Sequence, residues 1–198
     1  MTFFSGKKKI YLIFLAAGLA TYLVVAFAGS SGSDVPAAFS EARVQGAVIA
    51  KNIVDASNQS ASDIELINKL DKGGNYTEAL NVVARTVGKS QEIRSEAINL
   101  SAQLENMTKA VSGISSDQAK QAALESISSY LSLISRLINY SGYLEKLLGV
   151  LRNRFVGNFS DQEGVADLIK SVNGEIQSIN DFNTQADQAI KRFDQLVK

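Results

Sequence analysis

The chain has 198 residues with 20 basic and 20 acidic side chains, 45% hydrophobic residues and a single proline; this is a globular composition, poor in the turn residues that sheet proteins need, and it favours a few long helices over strands or disorder. It contains no His, Cys or Trp, which removes the ordinary near-neutral acid–base group, the commonest metal ligand, every thiolate nucleophile and all disulfides. Three of the basic residues are Lys7, Lys8 and Lys9, and no acid precedes Asp34, so the chain from Gly29 onward carries a net charge of −3; with no basic stripe interleaved with aromatics, nucleic acid is not an expected partner.

Ile10 to Ala28 is an unbroken run of 19 residues without a charge. As a helix it would span roughly 28 Å, close to the ~30 Å hydrocarbon core of a bilayer. The three lysines before it favour a cytoplasmic N-terminus. Residues 1–28 therefore read as a basic stub and a transmembrane signal anchor. Ala26-Phe27-Ala28 also fits a cleavage site, and the alternative is a cleaved signal with a secreted product. Residues 29–35, beginning Gly-Ser-Ser-Gly-Ser, read as a short flexible linker.

Residues 36–198 read as four helices. The first is predicted from Pro36, in the first turn, to Lys72, with Gly73 at the left-handed position beyond. Ser57-Asn58-Gln59-Ser60 interrupts its apolar spacing and is a predicted break. The second opens at Asn75, with Glu78 three residues on as a cap partner, and ends near Val111. Its first part, Leu80, Val83 and Val87, is out of phase with Ile93, Ala97, Leu100 and Leu104, so a bend is predicted near Gly88. The third opens at Ser115-Ser116-Asp117-Gln118 and runs to Phe155, with Gly157 beyond. The fourth opens at Ser160-Asp161-Gln162-Glu163 and continues to the C-terminus.

In the third helix Tyr130, Ile134, Leu137, Ser141, Leu144, Leu148, Leu151 and Phe155 alternate by four and three. In the fourth Val165, Ile169, Val172, Ile176, Ile179, Asn183, Ala186 and Ile190 do the same. Four such helices with short loops predict an all-α fold: a transmembrane helix, then an antiparallel up-down-up-down four-helix bundle with coiled-coil-like packing. Lys72 to Leu80 resembles the turn into the second helix of a tetratricopeptide repeat. No copy recurs at that family's period of about 34 residues, so it is read as an ordinary helix turn. One anchor followed by a helical bundle also resembles, in architecture, LemA-type proteins and chemoreceptor sensor domains.

Several residues stand out as candidate sites. Leu133, Tyr140 and Leu147 form a second apolar stripe on the third helix, which is either extra core or an interface for another subunit. Tyr76 and Phe159 lie in the two loops at one end of the bundle, where they either contact a partner or close the core. Asn58, Asn75, Asn99, Asn106, Asn139 and Asn158 head six Asn-x-Ser/Thr sequons, the acceptor motif for N-glycosylation; the alternative is a helical surface rich in Ser and Asn. Asn183 interrupts the seam of the fourth helix and either fixes its register or meets water. No catalytic, cofactor or metal motif is present. The expected function is a membrane-tethered structural or protein-interaction module of the cell envelope, with a protein partner or a second copy as its target. The alternative is a sensor-like module holding a small ligand around Asn183, Ser141 or Arg136.

Overall fold

A computed structural model of the chain describes residues 35–157 and 162–197. The expected membrane segment at 10–28 lies outside the described residues. Within them the chain forms four α-helices and no strand. The helices are α1, Ala37–Lys72; α2, Tyr76–Ala110; α3, Asp117–Phe155; and α4, Gln162–Leu196, with a 3-10 turn at Val111–Gly113. No helix among the described residues is long and apolar enough to cross a membrane.

The helix ends follow from the backbone groups they must satisfy. Gly74, at φ 72°, takes the left-handed position after α1. The Asn75 N–H donates to the Leu70 carbonyl at 3.0 Å, and the Gly74 N–H donates to Asp71 at 3.2 Å. These are the two bonds of a Schellman cap. Gly73 sits instead at φ −83°, so the expected left-handed residue is one position late. The Asn75 side chain makes no cap hydrogen bond; its amide lies back over Gly73, and its backbone N–H, from which a capping-box Glu78 would accept, goes to Leu70 instead. At the start of α3 the cap is Ser116 rather than Ser115, with its hydroxyl accepting the Ala119 N–H at 3.3 Å.

α1 packs on α2, α2 on α3, and α3 on α4. Each pair is antiparallel. Asn52 donates to Glu96 at 3.2 Å, while Arg85 donates to Asp63: residue numbers rise along α1 as they fall along α2. Ser126 donates to the Ala186 carbonyl at 3.3 Å, and Arg136 pairs with Glu175 at 3.6 Å, which orders α3 and α4 in the same way. Phe39 and Phe193, with centroids 5.2 Å apart, bring the beginning of α1 to the end of α4. Tyr76 stacked on Phe155 at 5.7 Å marks the opposite end.

Two expected irregularities are absent. α1 runs through 57–60 without a break, because Ser57 and Ser60 face the core and the Ser60 hydroxyl bonds the Ala56 carbonyl one turn back at 2.9 Å. α2 is one continuous helix. Its buried positions run Ala79, Val83, Thr86, Ser90, Ile93, Ala97, Leu100 and Leu104 in a single phase. Thr86 and Ser90 carry the seam through the region where apolar spacing alone reads as a slip. Thr86 donates to the Val82 carbonyl at 2.8 Å, and Ser90 donates to the Ser141 carbonyl across the α2–α3 interface at 3.0 Å, so neither hydroxyl is buried without a partner.

Most of the α3 and α4 seams are buried as expected, including Ile134, Leu144, Leu148, Ile176, Ile179 and Ile190, whereas Ile169 is only half-buried. Each such side chain contributes about 1.5–3 kcal/mol by leaving water. Asn183 is 7% exposed, so it belongs to the interior and not to a wet edge.

Candidate functional site

Leu133, Tyr140 and Leu147 are fully buried. The core reading of the second α3 stripe is therefore the one the structure gives, and these three cannot form an exposed interface. The reason is geometric. They lie on the side of α3 that turns toward α4, where Ser126 reaches the Ala186 carbonyl and Arg136 reaches Glu175. A helix clasped on two sides needs a wider apolar arc than one seam supplies.

Tyr76 is 46% exposed and stacks on buried Phe155. Beside it Arg154 donates to Asp71 at 3.1 Å, tying α3 to α1. This end is thus closed by an aromatic stack and an ion pair. Phe159, the other expected tip aromatic, lies outside the described residues, as does Asn158.

The five described sequon asparagines differ in setting. Asn58 is half-buried in α1, with its sequon Ser60 in the core. Asn99, Asn106 and Asn139 are exposed but lie within continuous helix; Asn99 donates to Glu96 at 3.2 Å. Asn75 is exposed and sits in the turn between α1 and α2. Of the five, only Asn75 presents the exposed turn that the modification ordinarily requires.

The residues expected to surround a ligand do not converge. Ser141 faces α2, with its carbonyl accepting from Ser90. Arg136 faces outward between α3 and α4, paired with Glu175. Asn183 is in the interior of α4. A shallow, open groove of about 370 Å³ lies elsewhere on the α3–α4 surface, over Ala189 and beside Ser129, Gln185 and the Arg192–Glu125 ion pair. Among the described residues no group of three acidic side chains is placed to hold a metal.

Sequence reasoning missed a buried polar cluster where α1 and α4 meet. Arg43, 4% exposed, makes two hydrogen bonds to the Asp194 carboxylate, at 2.6 and 2.8 Å. Its guanidinium carbon lies 5.9 Å from the Phe193 ring centre. Tyr130 is buried close by: burial, then Asp187, push its hydroxyl well above the ordinary tyrosine range, while Arg43 acts in the opposite sense. Asp187 is held by Lys191 at 2.8 Å. The signal was present in the chain. Phe39, Arg43, Gly46, Ala50 and Ile53 follow the four-three spacing, which puts an arginine on the seam. Planar, bidentate pairing of this type fixes the relation of two helices. By joining the start of α1 to the end of α4, the cluster acts as a clasp.

No protein-family model, curated protein or solved structure matches the chain. The functional reading therefore rests on the residues themselves.

Proposed function

We propose that the chain is a membrane-tethered, extracytoplasmic helical bundle that serves as a structural or protein-interaction module of the cell envelope, and that it is not an enzyme. In this reading residues 10–28 cross the membrane, residues 1–9 are cytoplasmic, and a coiled-coil-like bundle stands outside. The observation that supports an interaction module over a ligand sensor is the dispersal of Asn183, Ser141 and Arg136 over three different settings, with a continuous apolar core between them. A small-ligand site needs polar groups converging on one concavity.

The tether is tested by topology. Protease added to intact cells, or to spheroplasts where an outer membrane is present, should digest the bundle; full protection with the membrane shown to be accessible overturns the outward orientation. Intact mass of the mature protein should include residues 1–28, whereas a new N-terminus at Gly29 shows a secreted product. The same spectrum reads glycosylation, for which the exposed turn makes Asn75 the favoured acceptor: a glycan lost in Asn75→Gln supports that reading, and an unmodified chain defeats it.

A further inference from the structure

Beside its two buried stripes, α3 carries a third seam on its outer face. Leu124, Ser128, Leu131, Ser135, Ile138 and Gly142 recur at spacings of four and three; none of them belongs to the buried set of this helix, although Ile138 is half-buried and leans against the core. Leu124 and Leu131 are each 46% exposed, although both are large and apolar. Nothing lies within 4 Å of a Cβ built on Gly142. No charged side chain occupies the stripe until Glu145. A helix with a continuous, uncharged, four-three seam on its solvent side has the pattern of a coiled-coil partner.

The order of large and small residues identifies the partner. Leu124, Leu131 and Ile138 occur every seventh position, and Ser128, Ser135 and Gly142 occur every seventh position between them. When a second α3 is laid antiparallel about a two-fold axis level with residue 133, Leu124 faces Gly142, Ser128 faces Ile138 and Leu131 faces Ser135. Every large side chain then meets a small one, which lets the helices approach closely. The charges at the ends agree: on the same edge, Lys120 of one copy comes within one residue of the level of Glu145 of the other, twice by symmetry. A parallel pairing would set Leu against Leu and Ser against Ser, with Lys120 against Lys120.

The neighbouring helix supports the same axis. Ser90 bonds the Ser141 carbonyl, so two turns further along α2, Ile98 falls level with about residue 133 of α3. Ile98 is 55% exposed and would flank the axis in both copies. We propose that the outer face of α3 is a self-association surface, on which a second copy of this chain docks antiparallel through Leu124, Leu131 and Ile138. The inference rests on the interaction-module reading above, but not on its membrane tether. An isologous contact of this kind closes on itself and yields a dimer rather than a fibre.

The absence of native cysteine makes the test direct. Full-length chains carrying Leu124→Cys and Gly142→Cys are purified separately in detergent, mixed and oxidised. A disulfide-linked product should form in the mixture and not with either chain alone, and Ser128→Cys mixed with Ile138→Cys should behave likewise. Light scattering should give a dimer for the wild type. Leu131→Glu and, separately, Leu124→Glu should give a monomer with unchanged helical circular dichroism, since both positions are exposed. Leu124→Cys linking efficiently to itself but not to Gly142→Cys indicates parallel pairing and overturns the proposal. A wild type that stays monomeric, or glutamate variants that keep the wild-type mass, also overturn it. A monomer that is still captured on an envelope protein in crosslinked membranes retains the module reading and removes only self-pairing.

Discussion

A Cβ built on Gly113 would lie 2.8 Å from Cγ of Pro36, whereas one built on Gly88 meets nothing within 4 Å. The same substitution should therefore have opposite signs at the two positions. Gly113→Ala forces the Pro36 ring or the α2–α3 turn to move, at a cost of about 1–3 kcal/mol. Gly88→Ala, in an exposed helix interior, should stabilise by about 0.5–1 kcal/mol. Urea unfolding midpoints of the two variants check both. Arg43 offers a second contrast. Asp194→Ala leaves a buried guanidinium without its carboxylate and should cost about 3 kcal/mol; the figure is at the low end of the range because the Asp194 side chain is 23% exposed. Replacing both partners, Arg43→Met with Asp194→Leu, should recover most of the loss, and thermal melts of the single and double variants decide it. Tyr140 adds a pH dependence. Burial raises its hydroxyl above the ordinary value of 10.0, so the unfolded chain ionises first. The stabilising contribution is complete below about pH 10 and is lost as pH rises beyond it. Tyr130 acts in the same direction. Tyr140→Phe should shift the alkaline unfolding midpoint upward, as read by circular dichroism.

At the level of helices, the chain announces its elements clearly and their registers less so. The first three helices end at Lys72, Ala110 and Phe155, within one residue of the expected Lys72, Val111 and Phe155, because caps and glycines impose local requirements that a sequence must meet on the spot. The supposed slip in α2 arises from counting only apolar residues. Thr86 and Ser90 are seam residues whose hydroxyls are satisfied by the Val82 carbonyl and by the Ser141 carbonyl of the next helix. The first of these partners is local, but the second depends on how α2 and α3 pack, which no window of one helix contains. Arg43 escaped notice for a related reason: an arginine on a seam reads as a fault until Asp194, 151 residues away, is brought to it. Leu133, Tyr140 and Leu147 show the converse, since more than one face of α3 is apolar and only the placement of α4 decides that this one is covered. Leu133→Ala should accordingly cost about 2–5 kcal/mol and leave the association state of the remaining folded protein unchanged. Chemical unfolding with light scattering on the same samples tests the pair of outcomes.

For the molecule as a whole, the bundle brings the two ends of the described chain together, since Phe39 touches Phe193, and puts the Gly74 turn at the opposite pole beside Phe155. That arrangement makes its resistance to mechanical load directional. A pull between Val35 and Val197 acts across the helices and opens the α1–α4 junction one contact at a time, beginning with the Phe39–Phe193 and Arg43–Asp194 pairs. A pull between Val35 and Gly74 acts along the axis of α1 and must stretch that helix against α2, straining the Asn52–Glu96 and Asp63–Arg85 contacts together. With cysteine handles placed at those residues, single-molecule extension at one loading rate should give the lower rupture force for the first geometry. A protein held at its base would then transmit tension well when gripped at its far turn, and would yield readily when the grip is on its own tail.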